Sequence, residues 1–520
     1  MNSIVIKIRN AALVLFMAFA VGGCVKDDGN YDYRELPALE IDGFIVKSNG
    51  SDVAVGEENS IYVSKNANVE ISPAYNVSEE LDPTYEWILY PNPNTEDLPG
   101  TILSTEPKLS YKFVEKPGKY DLVLRVMNKE EPNDFNNYLM ISLTIEAVNG
   151  IAILHRDASG AGDIAIFKSE EIDLSLQGDN VVFEKEVYSN INGRKLSNPM
   201  ALAFDYDATN RFHLAYGNGV KYLDVELIDA DVEMTDIFYR PEDIPTTVTS
   251  ACFVTGLRTG TMPFSFMIAN NKLYGRTSSS YYENHNQYLK MSDANYCNMI
   301  VINKGEWSGH VAFNKTDRCF EYLDYGCGGI MWGMDYTFKP KKINSLGGEV
   351  DIANTQMDAV EFGKTSSTLN TIMKDANGYY LVGFTYPENG AESECLYKTD
   401  ITSVEGVGEN SVWEVGSKGE YIFYSNGNKL YTYSIANNTT SEQKIGLESG
   451  SIIVRLELFE DNSGTNTAND GAVLFIVTND GSSYSFHQYT INPLTGKVDN
   501  MSGKSVSGLG EVVDIVHIAR

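Results

Sequence analysis

Residues 150–168 read GIAILHRDASGAGDIAIFK: an apolar run, a turn of Asp, Ser and Gly, and a second apolar run. The same unit returns as RFHLAYGNGVKYLDVEL from Arg211, FMIANNKLYGR from Phe266, CFEYLDYGCGGIMWGM from Cys319 and GYYLVGFTYPENGAESECLYKTDI from Gly378. It then appears as GEYIFYSNGNKLYTYSI from Gly419 and GAVLFIVTNDGSSYSFHQYTI from Gly471. The seven copies recur about every 53 residues, which is room for four short strands and their loops. That period is the size of one propeller blade, so residues 148–520 are expected to form a seven-bladed β-propeller. Six or eight blades, or two β-sandwiches, are the alternatives. Asn218-Gly219, Asn426-Gly427 and Asp480-Gly481 fit tight hairpins, because these pairs accept the positive φ of a type I′ turn. The last run, EVVDIVHIA at 511–519, is expected to pair with the first unit and close the ring, leaving no open edge.

Upstream, residues 38–147 hold seven short alternating runs separated by turn residues: ALEIDGFIV, SIYVSK, NVEISPAY, TYEWILY, LSYKFV, YDLVLRVMN and YLMISLTIEA. Seven strands in about 110 residues is immunoglobulin-like spacing. Trp87 is the expected central core residue, and the domain contains no cysteine, so apolar packing alone must hold it. The fold class is therefore all-β throughout.

The first 23 residues carry Lys7 and Arg9, an apolar run AALVLFMAFAV at 11–21, and Gly22-Gly23 before Cys24. This is the arrangement of an export signal, too short to span a bilayer. Small residues before a cysteine resemble a bacterial lipobox, in which the Cys24 sulfur takes a diacylglycerol and anchors the chain to the outer membrane. Lys26, Asp27 and Asp28 resemble a short acidic surface-export signal, and residues 24–37 read as a lipidated tether. With 40 Lys+Arg against 71 Asp+Glu the chain is strongly acidic, which repels phosphate backbones and excludes nucleic acid as a partner class.

Chemical motifs are sparse. The sequence contains no GxSxG, HExxH, CxxC, P-loop or GxGxxG. No catalytic, metal or cofactor residue is therefore assigned. Asp205, Asp207 and Asn210 in FDYDATN lack the glycine and distal glutamate of a calcium loop and read as a hairpin turn. Beyond Cys24, the five cysteines read as buried free thiols, with Cys319–Cys327 the nearest pairing if any forms. Most of the six histidines sit among aliphatic residues and the set reads as structural, and Trp307 and Trp332, weaker candidates for ligand contact, are expected to pack between blades.

One segment departs from the blade pattern. Residues 276–296, RTSSSYYENHNQYLKMSDANY, concentrate Tyr281, Tyr282, Tyr288 and Tyr296 with amide side chains. Aromatic faces beside hydrogen-bonding groups are common at recognition surfaces, and long loops on rigid scaffolds carry binding. These four tyrosines are the candidate ligand contacts; capping of blade edges is the equally weighted alternative.

Taken together, the lipobox cysteine, VKDDGNYDY, the YEW strand, PGKYDLVLRV and the repetitive β region resemble the PKD-like family of Bacteroidetes surface lipoproteins. The resemblance implies an accessory of a SusC/SusD-type nutrient importer, with a glycan or peptide as ligand and without catalysis. A propeller glycoside hydrolase or lyase, and an adhesion or structural role, are the other readings. Convergent carboxylates in a central pocket would favour the hydrolase.

Overall fold

The computed structural model describes residues 39–518, apart from 49, 66, 78–81, 93–98, 129–135, 147–148, 175, 177–180, 206–210, 256–263, 302–308, 325–326, 334–338, 388–391, 462–463 and 465. Cys24, Lys26, Asp27, Asp28, Asp207, Asn210 and Trp307 lie outside the described residues. No helix among the described residues is long and apolar enough to cross a membrane.

Residues 39–146 form two facing sheets. One runs Ser51–Val53, Leu39–Ser48, Asn68–Val77, Leu109–Lys112; the other runs Ser60–Ser64, Asn136–Glu146, Gly118–Asn128, Pro83–Pro91, Thr101–Ser104. All seven expected runs are strands, and two short ones, Ser51–Val53 and Thr101–Ser104, extend the sheets. Ser60–Ser64 pairs parallel with Asn136–Glu146, while the other contacts are antiparallel. Leu122, Leu124 and Val126 alternate inward from the Gly118–Asn128 strand onto Trp87, which is fully buried. The Trp87 indole N–H still donates to the Glu106 carbonyl at 3.1 Å, so the ring is buried without an orphaned donor.

Seven further antiparallel sheets follow, and each is a blade. Their inner strands are Glu511–Ile518 (blade 1), Pro199–Asp205 (2), Ala251–Val254 (3), Tyr296–Val301 (4), Asp358–Thr365 (5), Trp413–Val415 (6) and Ile452–Leu458 (7). The expected ring closure is present: the C-terminal strand pairs with Gly150–Arg156 from Gly150↔Ile518 to Arg156↔Glu511 and becomes the inner strand of blade 1. Five of the seven recognised units are the second and third strands of their blades. The units from Cys319 and Gly378 fall one strand late. In those blades the central hairpins are His310–Asn314 with Cys319–Leu323, and Thr368–Lys374 with Tyr379–Thr385.

Why these strands read as continuous apolar runs follows from how blades stack. In Gly150–Arg156, Ile151 and Ile153 pack on Val473, Phe475 and Val477 of blade 7. Ala152 and Leu154, pointing the other way, pack on Leu202 and Phe204 of blade 2. Both faces are covered, so polar alternation is lost. The same two-sided packing joins each successive blade pair around the ring. The turns differ in detail from expectation: in Asn218-Gly219, Asn426-Gly427 and Asp480-Gly481 only the glycine has a positive φ, whereas between Phe264–Ala269 and Lys272–Thr277 both Asn270 and Asn271 adopt left-handed φ, 51° and 61°, as a two-residue hairpin turn requires.

Leu154→Ala opens a cavity at a closed blade interface and is expected to destabilise by about 2–5 kcal/mol. Ile45→Ala, on an exposed face of the sandwich, is expected to stay within about 0.5 kcal/mol. Urea midpoints of the propeller and sandwich transitions measure both.

Candidate functional site

The seven inner strands surround a central cavity of about 490 Å³. Its wall is apolar on one side, with Phe204, Phe253 and Met299 from blades 2, 3 and 4, and charged on the other. Glu361, Glu414, Glu457 and Asp514, from blades 5, 6, 7 and 1, share that side with Arg455. A second cavity of about 340 Å³ also has Cys252, Asn298, Arg455 and Asp514 in its wall, so these four side chains form a waist along the axis.

Two of the four, Arg455 and Asp514, belong to a bonded network that extends to Glu457. Arg455 donates to Asp514 Oδ1 at 2.8 Å, to Glu457 Oε2 at 2.9 Å and to the Val513 carbonyl at 2.9 Å. Burial works against the guanidinium charge, but the two carboxylates outweigh it and hold Arg455 firmly protonated. Among the described residues neither Glu361 nor Glu414 makes an ion pair of that kind. Each accepts one backbone N–H, from Phe362 at 3.1 Å and Leu458 at 3.2 Å respectively. Removal from bulk water pushes the Glu361 carboxyl up to about 8, partly offset by Arg455, and pushes Glu414 well above the ordinary range, with Glu361 and Glu457 adding repulsion. Glu457 rises to about 7 through burial, against the pull of Arg455. At neutral pH Glu361 and Glu414 are therefore both held toward the protonated form, with Glu457 close to its own midpoint.

These residues were not legible as a site, although each carries a signal: a single charge embedded between apolar neighbours on an inner strand, as in Val360-Glu361-Phe362, Trp413-Glu414-Val415 and Val513-Asp514-Ile515.

The structure separates the four candidate tyrosines. Tyr288 is fully buried, its hydroxyl 2.8 Å from His213 Nδ1. Tyr296, also fully buried, starts the inner strand of blade 4 and donates to Glu321 Oε2 at 2.6 Å. Tyr282 packs edge-on against Phe264, with ring centroids 6.0 Å apart, and covers Gly329. A buried ring has no face to offer a ligand, so these three are core residues of blades 3 and 4, a correction to their expected role. Tyr281 alone is open, at 85% exposure. A second correction concerns Trp332: in place of packing between blades it is 80% exposed, at a left-handed φ of 57°.

Tyr281 and Trp332 belong to neighbouring loops that are stitched together. The Glu283 N–H donates to the Ile330 carbonyl at 2.9 Å, and the Ile330 N–H donates to Asn284 Oδ1 at 3.0 Å. The Asn284 amide donates to the Gly328 carbonyl at 2.6 Å, and the Gly333 N–H donates to Glu283 Oε1 at 2.7 Å. Beneath them, Gly275 and Gly328 meet backbone to backbone: a Cβ on Gly275 would lie 2.6 Å from the Gly328 Cα.

The remaining polar clusters are structural. Asp205 is fully buried, bonded to Arg276 at 2.6 Å with the His213 ring 3.4 Å away; these two neighbours overcome burial and hold it down to about 2. Asp317, Cys319 and Glu321 gather their donor atoms, but the Asn314 amide already donates to Asp317 Oδ2 and Glu321 Oε1, the place an ion would need. Burial also pushes the Cys319 thiol up to about 12. The five described cysteines are free thiols. His155 and His487 are tied to neighbours within their blades, through Lys185 and Thr478, and His213 and His310 to blade 3, through Tyr288 and Phe266, whereas His285 is exposed.

The model of the PKD-like family matches residues 24–199, from the expected lipidated cysteine through the sandwich and the outer strands of blade 1. No curated protein matches the chain significantly. Among solved structures, a Lactobacillus plantarum protein is 10% identical over 72% of this chain and 99% of its own, with a TM-score of 0.45. A Bacteroides uniformis protein described as a 6-phosphogluconolactonase is 11% identical over 71% of this chain and 99% of its own, with a TM-score of 0.42. The WD40 domain of SCAP from fission yeast is 7% identical over 71% and 90%, with a TM-score of 0.34. Nothing about activity is drawn from likeness at this level.

The channel carboxyls have folded pKa values above their unfolded ones, so the folded chain holds protons that unfolding releases. Their contribution to stability is full below the ordinary carboxylate range and is lost as pH rises through about 7 to 8. Melting temperature is expected to fall between pH 6 and pH 9. Glu414→Gln, which cannot ionise, is expected to flatten that fall and melt several degrees above the wild type at pH 9; equal slopes for both proteins would contradict the assignment.

Proposed function

We propose that this chain is a non-catalytic recognition protein of the outer cell surface, anchored by lipid on Cys24 and accessory to a SusC/SusD-type nutrient importer. Its ligand is a glycan or a peptide. The observation that carries the reading is Tyr281, which stands 85% exposed on a loop fixed through Glu283 and Asn284 to its neighbour. A large aromatic ring presented to solvent on a rigid rim suits capture, whereas a mobile loop would pay for ordering on each binding event. The PKD-like match starting at residue 24, where the mature chain is expected to begin, supports the anchored arrangement.

A second reading has its own support. Glu361, Glu414 and Glu457 converge on the axis with carboxyls raised by burial, and an acid–base hydrolase or lyase of polysaccharide needs such a carboxylic acid. Against it, Arg455 stands in the wall shared by the two cavities and already engages Glu457 and Asp514.

Mixed soluble glycans and tryptic peptides incubated with the mature protein separate the two. Recognition predicts retained, uncut ligand, weaker retention by Tyr281→Ala, and release of the protein from membranes by Cys24→Ala. Cleaved product in excess of protein, abolished by Glu414→Gln, would transfer the function to the channel.

A further inference from the structure

Two exposed aromatic rings on adjacent blades place a more specific ligand on the rim. Tyr281 lies between the third and fourth strands of blade 3, Lys272–Thr277 and Leu289–Lys290. Trp332 lies between the corresponding strands of blade 4, Cys319–Leu323 and Lys341–Lys342. In an antiparallel blade those connections emerge at the same end, so both side chains belong to one face of the ring. Four hydrogen bonds join the two loops through Glu283, Asn284, Ile330 and Gly333, and Asn284 is fully buried between them.

We infer that Tyr281 and Trp332 form a two-ring platform for a neutral oligosaccharide. This rests on the recognition reading above and names its ligand class. Sugar rings present flat C–H faces that stack on aromatic rings, and the neighbouring Ser280, His285 and Gln287 supply groups for hydroxyls. Extended peptides are usually held by main-chain pairing along a free strand edge or by a groove for a helix. Here the outer strands beside the platform, Leu289–Lys290 and Lys341–Lys342, are two residues each, too short an edge for that pairing. Acidic glycans are disfavoured by charge: the chain carries a formal net charge of −31, and Glu283, two residues from Tyr281, holds its carboxylate on the Gly333 N–H next to Trp332.

Affinity electrophoresis of the mature protein through gels holding a mannan, an α-glucan or a β-glucan tests this, with polygalacturonate as the acidic comparison and tryptic casein peptides in a parallel depletion assay. Retardation by at least one neutral glycan is expected. Tyr281→Ala and Trp332→Ala should each weaken it roughly tenfold, with unchanged melting temperatures. Trp332→Phe, which keeps a ring, should retain most of the binding. Neutral-glycan retardation that survives both alanine variants would remove the platform, and stronger retardation by polygalacturonate would overturn the neutral class. Depletion of casein peptides without glycan retardation would overturn the inference and leave the recognition reading standing. Failure of every ligand would sink both.

Discussion

The pairing of Glu511–Ile518 with Gly150–Arg156 is the contact on which the propeller depends. A blade is stable only when both of its faces are covered, and blade 1 covers blades 7 and 2 only if its inner strand is in place. Loop-closure entropy grows slowly with length, by about 0.6 kcal/mol for each doubling, so joining strands 355 residues apart costs about 3 kcal/mol more than closing a loop of about ten. The return is large. The strand completes a ladder, removes an open edge, and sets Val512, Ile515 and Ile518 into the two flanking cores. The sandwich connects at Gly150, immediately before this junction, so the segment entering the ring is also the one the C-terminus locks.

How much of this was legible depends on what each residue reports. Gly150–Lys168 declares a hairpin because apolar runs and turn residues are local properties, and the period of its copies declares a ring. The phase of the repeat is not local. Cys319–Leu323 and Tyr379–Thr385 are as apolar as the strands before them, since third strands are buried as deeply as second ones, and the reading frame therefore slipped in blades 4 and 5. The tyrosines failed for a related reason. Composition marks residues 281–296 as unusual, but burial is decided by neighbours distant in sequence: His213 receives Tyr288, Glu321 receives Tyr296, and Gly329 leaves the space that Tyr282 fills. Trp332 was misplaced in the opposite direction, because a tryptophan in a glycine-rich apolar stretch carries the same local signature as a core residue.

The charges on the axis show what the ring tolerates. Residues on either side of an inner-strand charge point between blades and find apolar partners, as Trp413 does on Tyr379 and Tyr424. The charge itself turns toward the axis, where no further layer exists to bury it. Arg455 satisfies Glu457 and Asp514, but Glu361 and Glu414 keep like charges in view of each other with one backbone donor apiece. Such an arrangement opposes folding whenever both groups are ionised. Seven apolar interfaces supply the stability that carries it, so the axis is a place where local electrostatics is subordinate to the closure of the ring.

The rim of blades 3 and 4 reverses that relation. A tryptophan with a left-handed backbone is strained, and a side chain 80% exposed forgoes most of the burial that would stabilise it. Both costs persist only where the surroundings over-determine the conformation. Here the Gly333 N–H is held by Glu283 on one side of Trp332, the Ile330 N–H by Asn284 on the other, and the Gly275–Gly328 contact presses the loop base onto blade 3. A mutation that relaxed Trp332 into the blade interface would need to dismantle Asn284, which is buried and bonded to three backbone groups. The scaffold thus holds two aromatic faces outward against their own preference for burial, and a surface pre-organised in that way binds without first having to order itself.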